Sequence, residues 1–169
     1  MKSDVIDSLI TQWSRERPDL DASAMGIVGR ILRLAARLQR RGEEALEPFN
    51  LTMWQFDVLA TLRRAGKPFR LSPTQLMHAV MLSSGAMTNR IDRLETAGLV
   101  KREPDSSDRR GLQIVLTSKG LAMIDRAIVA RLQDAEDVVQ RLNQRERQSL
   151  EPLLRKLLGE IEGGLESSK

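Results

Sequence analysis

The sequence predicts a mainly α-helical fold with one small β-hairpin, an α+β class, and three observations near its centre support this prediction. Residues 72–75, Ser-Pro-Thr-Gln, combine a capping serine, a proline at the first helical position and a glutamine that can bond back to the cap. A second helix starts at Ser83–Ser84, carries apolar residues at helical spacing and ends at Gly98. Two strand-like runs, 99–103 and 112–116, then flank a polar loop with adjacent arginines.

The order of these elements is that of a winged helix-turn-helix. A helix fits the DNA major groove, and arginines on a flexible loop can enter the adjacent minor groove. Any one of the polar residues concerned could be an ordinary solvated side chain, but their combination with two capped helices and a basic hairpin tip favours DNA binding. The candidate DNA-contacting residues are Ser72, Thr74, Ser83, Ser84, Thr88, Asn89, Arg93, Arg109 and Arg110.

Composition excludes several classes of protein. The chain of 169 residues has 27 Lys and Arg against 23 Asp and Glu, which permits a nucleic-acid partner without requiring one. It has no cysteine and a single histidine, His78, so we expect no disulfide, thiolate site, multi-histidine metal site or cofactor. No Gly-rich phosphate loop or catalytic triad spacing is evident, and no apolar run approaches the roughly 20 residues of a membrane span. We therefore expect a soluble, cytoplasmic protein that is not an enzyme.

Helices are also predicted before the central unit. Residues 4–15 form a short amphipathic helix, which the run 17–21 breaks. A longer helix with a broad apolar stripe follows from about Ala22 to Pro48. Residues 52–55 form a capping box that opens a further helix, which ends at the turn over 65–68.

After the hairpin, two more helices complete the chain. Thr117 caps a long helix with a heptad-like apolar seam from Leu121 to Leu142, and residues 143–146 cap a leucine-rich last helix, with a bend expected near Pro152. We divide the single compact domain into 1–50 (extra helix and first dimerisation helix), 51–117 (DNA-binding lobe) and 118–169 (C-terminal dimerisation helices). The terminal helices have more apolar surface than one lobe can cover, which favours a two-fold dimer with recognition helices about 34–36 Å apart on a palindromic site. A monomeric helical bundle is the alternative.

The chain resembles the MarR family of bacterial transcription regulators from Ala22 to Gly164. The resemblance rests on Leu-Ser-Pro-Thr-Gln-Leu at 71–76, on Ser-Gly-Ala-Met-Thr-Asn-Arg-Ile-Asp-Arg-Leu-Glu-Thr-Ala-Gly-Leu-Val at 84–100, and on the wing motifs at 108–111 and 116–120. It implies a homodimeric, cytoplasmic repressor or activator of palindromic operator DNA. It also implies that the start of the 83–97 helix reads the major groove and that Arg110, with Arg109, enters the minor groove.

A narrower resemblance involves residues 12–21 and 56–64, which are similar to those of the PecS-like and urate-responsive regulators with an extra N-terminal helix. That resemblance implies that Trp13, Asp57, Arg64 and Arg90 hold a small anionic ligand such as urate. The spacing is compatible with a pocket, because Asp57 and Arg64 share a helix face but lie roughly 10 Å apart, too far for a simple salt bridge. A guanidinium group also suits a planar anion.

Other interpretations remain open at this stage. Arg64 could be a surface residue favoured by the helix dipole, and Trp13 could be a packing anchor. The chain could then be a DNA-binding regulator of the same fold that responds to another ligand or to none, an architectural DNA-binding protein, or a helical scaffold.

Overall fold

The computed structural model describes residues 3–80, 84–105 and 111–166, and this part of the chain is mainly helical with one small antiparallel sheet. The fold class predicted from the sequence is confirmed. A 3-10 turn at Glu47–Phe49 continues the second helix. The α-helices are α1 (Val5–Glu16), α2 (Met25–Leu46), α3 (Met53–Arg64), α4 (Pro73–Ala79), α5 (Ser84–Thr96), α6 (Ser118–Val139) and α7 (Gln144–Glu166), and the strands are β1 (Arg70–Leu71), β2 (Val100–Pro104) and β3 (Leu112–Leu116).

The predicted helix starts form as their local chemistry requires. The Gln75 backbone N–H donates to Ser72 Oγ at 3.2 Å, and the Ser72 backbone N–H donates to Gln75 Oε1 at 2.9 Å. A reciprocal pair of the same kind joins Asn143 and Glu146 at the start of α7. These bonds satisfy backbone donors that a helix cannot pair internally, so the starts are set by residues close in sequence.

Three boundaries differ from the predictions. The helix α2 spans 25–46 rather than 22–48, and Pro48 lies in the 3-10 turn. The helix α6 ends at Val139, so Leu142 belongs to the following turn and the predicted seam is too long. The helix α7 includes Pro152, as expected, and the bend near this residue stays a prediction.

The sheet has three strands, whereas the sequence predicted a two-stranded hairpin. Strand β3 lies between β1 and β2, and it pairs antiparallel with both. Strand β1 has only two residues, too few for the alternation of side chains that identifies a strand in a sequence. It forms because Arg70 and Leu71 pair with Val115 and Ile114 of β3. Tertiary pairing therefore creates this strand.

One aliphatic core joins the DNA-binding lobe to the flanking helices. Its most buried members come from α2, α3, α4, α5, the sheet and α6, with relative exposures of 0–2%. Since a close-packed core transmits displacements, these elements are expected to move together. The fully buried side chains are Leu46, Val58, Leu59, Leu62, Leu76, Met87, Ile91, Leu94, Val100, Ile114 and Ile124.

The helix α7 lies outside this core. Every described residue from 148 to 164 is exposed, including the apolar positions Leu153, Leu157 and Ile161. Within residues 3–80, 84–105 and 111–166, no helix has the length and apolar character of a membrane span.

Candidate DNA-binding surface and ligand cleft

The recognition helix α5 has an inner and an outer face. Met87, Ile91 and Leu94, spaced by four and three residues, are buried against the core as predicted. Thr88, Asn89 and Arg93 are exposed. The exposed face therefore presents hydroxyl, amide and guanidinium groups, the groups that contact base edges and phosphates.

The start of α4 contributes a second polar edge. Ser72 accepts the Gln75 backbone N–H as the helix cap, so its oxygen has a local structural role. Thr74, two positions later, is exposed. Pro73 has no backbone N–H and the cap uses that of Gln75, so the exposed hydroxyl of Thr74 is the group at this end of α4 that suits contact with a phosphate.

The wing is attached to the recognition helix by Arg102 of β2. Its guanidinium group bonds to Asp92 at 2.5 Å and also to Glu95, and its backbone N–H donates to Glu95 Oε1 at 3.0 Å. Hydrogen bonding to Asp92 contributes most to raising the pKa of Arg102. The hairpin is therefore tied to the helix at its base.

Part of the predicted DNA surface lies outside the described residues. Ser83, Arg109 and Arg110 fall in this category, and Ser84 is placed only as the first residue of α5. At the base of the wing, the Asp105 backbone N–H donates to the Gly111 carbonyl at 2.9 Å. This bond joins the two described residues on either side of 106–110, the part of the sequence that contains both arginines.

A cleft of about 360 Å³ lies between α3, the end of α4 and α6. It contains two of the four residues expected to hold a ligand, Asp57 and Arg64, which lie on one face of α3. Arg64 Nη2 donates to Thr61 Oγ1 at 2.9 Å, which directs the guanidinium group along the lining. The full lining is Phe56, Asp57, Ala60, Thr61, Arg64, Ala79, Val80 and Ile128.

The charge of Asp57 is influenced by several arginines. Asp57 reaches solvent, but nearby protein atoms remove part of its water, and this desolvation raises the pKa of its carboxyl group above the ordinary value. The charges of Arg90, Arg131 and Arg64 oppose the increase. One carboxylate thus lies within the fields of three guanidinium groups, of which Arg131 is also paired with Asp134 at 2.8 Å.

Arg90 and Trp13 occupy different environments. Arg90 is half-buried on α5, and its guanidinium carbon lies 5.4 Å from the ring centroid of Trp54 on α3. It therefore links the helix that carries Asp57 to the recognition helix. Trp13 is 49% exposed on α1 and is not part of the cleft lining, so this single chain does not bring it together with the other three residues.

The sequence analysis missed Trp54, Thr61 and Arg131, which lie near the predicted residues Asp57 and Arg64. Trp54, Asp57, Thr61 and Arg64 are spaced by three, four and three residues, a pattern that places them on one face of α3 and could have revealed the set. Arg131 of α6 had no comparable local signal. Its field reaches Asp57 only because α6 packs on α3.

Comparisons with known proteins agree with this architecture. The MarR family matches residues 51–112, from before α3 to the start of β3. The chain is 35% identical over 164 residues to the HTH-type transcriptional regulator PecS of Dickeya dadantii, covering 97% of this chain and 96% of that protein. It is 32% identical over 133 residues to the multiple antibiotic resistance protein MarR of Escherichia coli K12, covering 78% and 90%.

Solved structures show the same relationship. AbsC of Streptomyces coelicolor, a MarR family transcriptional regulator, superposes with a TM-score of 0.76 at 28% identity, covering 85% of this chain and 97% of AbsC. A mutant E. coli MarR complexed with operator DNA has a TM-score of 0.67 at 27% identity, covering 92% and 99%. These relatives are transcriptional regulators, not enzymes. The chain therefore belongs to the MarR family of DNA-binding transcriptional regulators, and it is similar to PecS over nearly its whole length.

Proposed function

We propose that this regulator is a homodimer that binds a palindromic operator and releases it when a small planar anion, such as urate, occupies the cleft between α3, α4 and α6. The observation that carries this proposal is the cleft itself. It combines Asp57 and Arg64 with Ala79, the last residue of α4, and with Val80, which follows it and precedes the start of the recognition helix at Ser84. A ligand there would contact α3 and also the residues Ala79 and Val80, which precede the recognition helix in sequence.

The exposed apolar surface supports a dimer. Helix α7 has 23 residues, and its apolar side chains face solvent in the single chain at Leu150, Leu153, Leu154, Leu157, Leu158 and Ile161. Helices of this kind derive most of their stability from burying such a stripe. A second copy of the chain would cover α7 together with the exposed apolar residues of α1, α2 and α6, and it would place two recognition helices on one side of the DNA.

The DNA contacts are assigned to the polar edge of α4, the outer face of α5 and the wing. Thr74 is exposed at the start of α4, and Thr88, Asn89 and Arg93 are exposed on α5. Arg109 and Arg110 are assigned to the minor groove by their resemblance to the family wing motif. The division into phosphate and base contacts follows general protein–DNA chemistry, in which phosphate contacts position the protein and base contacts specify the sequence.

The chemistry of the cleft favours an anion. Its volume of about 360 Å³ is within the range of roughly 300–1,000 Å³ that small-molecule sites occupy. The guanidinium group of Arg64 is planar and offers parallel donors to the edge of a flat anion. A negative ligand would also compete with Asp57 for the fields of Arg90 and Arg131.

Arg90 supplies a route from ligand to DNA. It contacts Trp54 on α3 and lies on α5 next to Asn89, so a change in its partners would act on the recognition helix. Trp13 is exposed on α1 and does not line the cleft of its own chain. In the dimer it could contact the second copy of the chain.

The ligand proposal is tested with a palindromic duplex that the wild-type protein selects from a random pool. Urate should weaken binding by about 5–150-fold, the usual range of coupling between two sites. The change Arg64→Met should remove this response while leaving ligand-free DNA affinity nearly unchanged. Arg63→Met is the matched control, because Arg63 bonds to Asp125 at 2.6 Å and is not part of the lining. An equal loss of response in both variants, or no response in the wild type, would contradict the urate assignment.

The dimer is tested by light scattering of the purified protein. The chain has a mass of 19.0 kDa, so a dimer should have about twice that mass. Leu157→Glu should lower the dimer fraction and the operator affinity together, whereas Lys156→Glu on the same helix should change neither. A monomer that binds the palindrome as tightly as the wild type would contradict the proposal.

A further inference from the structure

Three successive carbonyl groups where the recognition helix ends are all occupied by the start of α6. Lys119 Nζ donates to the Ala97 carbonyl at 2.8 Å, and Thr117 Oγ1 donates to the Gly98 carbonyl at 2.8 Å. The Thr117 backbone N–H donates to the Leu99 carbonyl at 3.1 Å. These carbonyls directly follow Thr96, the last residue of α5, and all their partners lie at the start of α6, so this arrangement attaches the end of one helix to the start of another.

At the same contact, Gly120 lies so close to the Leu99 carbonyl that no side chain would fit between them. A Cβ atom added at Gly120 would lie 1.9 Å from the Leu99 carbonyl oxygen and 2.9 Å from its carbon. Real Cβ atoms essentially never approach backbone this closely, so the first turn of α6 can lie against Leu99 only because residue 120 has no side chain. We name residues 97–99 and 117–120 the α5–α6 joint.

The α5–α6 joint connects the recognition helix to the long helix α6. Helix α6 has 22 residues and packs along α2 and α3, and Ile124 and Ala127 are fully buried in the core. Any change in the direction of α6 would therefore reach the end of α5 through the joint. The ammonium group of Lys119 also lies at the C-terminal end of α5, where a helix favours positive charge.

Lys119 is well separated from the residues that start the recognition helix. Helix α5 has 13 residues, so its two ends are about 20 Å apart. Lys119 bonds to the far end, after Thr96, whereas the start of the helix is the part assigned to the major groove. Its role can therefore be separated by experiment from that of a lysine that contacts DNA.

We propose that Lys119, together with Thr117, is a positioning residue for operator recognition: it holds the C-terminal end of the recognition helix to α6 and thereby sets the angle at which the helix enters the major groove. It does so without touching DNA. The same attachment makes the orientation of α6 part of the specificity of the protein.

The test measures affinity of the full chain for two duplexes, the selected palindrome and a scrambled sequence of equal length, over a range of salt concentrations. The change Lys119→Met should lower affinity for the palindrome about three- to thirtyfold, the range expected for losing a helix-end cation in each of two subunits. Affinity for the scrambled duplex and the slope against log salt should stay unchanged, because no phosphate contact is lost. Lys119→Arg should restore binding, and Lys156→Met should have no effect.

Two results would overturn the proposal. Unchanged affinity for the palindrome in Lys119→Met would show that the joint does not position the helix. An equal loss on both duplexes, with the salt slope reduced by about one, would identify Lys119 as an ordinary phosphate contact. The pair Thr117→Val and Thr117→Ser provides a second check, because only the serine keeps the hydroxyl that donates to the Gly98 carbonyl and accepts the Gly120 backbone N–H as the cap of α6. If the valine variant binds the palindrome as well as the serine variant, the proposal also fails.

Discussion

Replacing Arg102 by methionine tests whether the wing is held to the recognition helix by ion pairing. The substitution keeps the aliphatic stem of the side chain and removes its bonds to Asp92 and Glu95. The backbone bond from residue 102 to Glu95 Oε1 remains possible. The experiment therefore isolates the guanidinium group.

The expected loss of stability is modest. The Arg102 side chain is 29% exposed, and those of Asp92 and Glu95 are 58% and 37% exposed, so each pair is screened by water. Pairs of this kind contribute about 0.2–1 kcal/mol each, and the two acids left three residues apart on α5 repel by about 0.2–0.5 kcal/mol. The free energy of unfolding should fall by about 1–2 kcal/mol, which lowers the melting temperature by roughly 2–8 °C.

We call the bonds of Arg102 to Asp92 and Glu95 the clasp. Measuring operator affinity shows whether the clasp positions the wing or whether Arg102 only contributes positive charge. Arg102→Met should weaken binding to the selected palindrome, measured by fluorescence anisotropy at fixed salt. Glu95→Met is the decisive companion, because it removes both bonds between residue 102 and Glu95, leaves the pair with Asp92, and makes the protein more positive. If the clasp positions the wing, both variants bind more weakly; tighter binding by Glu95→Met would refute this reasoning and leave Arg102 as a source of charge alone.

Three further predictions concern stability. Gly120→Ala should lower the free energy of unfolding by about 1–3 kcal/mol in denaturant titrations, as overpacking does, whereas Gly159→Ala, with no atom within 4 Å of its added Cβ, should raise it by up to about 1 kcal/mol. Met87→Ala, at a position only 2% exposed, should cost about 2–5 kcal/mol by the same measurement, and a cost below 1 kcal/mol would mean that α5 is not anchored there. The raised pKa of Asp57 means that the folded state favours the protonated carboxyl group, so this group contributes stability below its unfolded pKa that is lost as pH rises through the folded pKa. The melting temperature of Asp57→Asn relative to wild type should therefore increase between pH 4 and pH 7, and a decrease over this range would contradict the assigned shift.

Much of the fold could be predicted from the sequence because the relevant interactions are local. The caps at Ser72 and Thr117 use residues at most three positions away, and Gly98 ends α5 with a backbone φ of +69°, a conformation that glycine adopts readily. The buried stripe of α5 follows from helical periodicity alone. The family motifs then indicated the function that the comparisons support.

The ligand residues were only partly predictable. The spacing of Asp57 and Arg64 indicated a shared face, and the structure places both in one cleft. Trp13 lies elsewhere in the single chain, and its predicted role stays a prediction. No spacing rule could have connected Arg131 with Asp57, because their helices α6 and α3 are separated in sequence by α4, α5 and the three strands.

The sequence by itself determined where most helices begin, which faces of them are apolar, and that the chain has the winged helix-turn-helix order of elements. Only the tertiary structure decided that β1 joins the sheet, that Arg102 ties the wing to α5, and that Thr117 and Lys119 attach the end of the recognition helix to α6. The physical reason is the range of the interactions. Caps and periodicity act within one or two turns, whereas strand pairing, ion pairs between elements and contacts with orphan carbonyls exist only after packing has brought distant segments together.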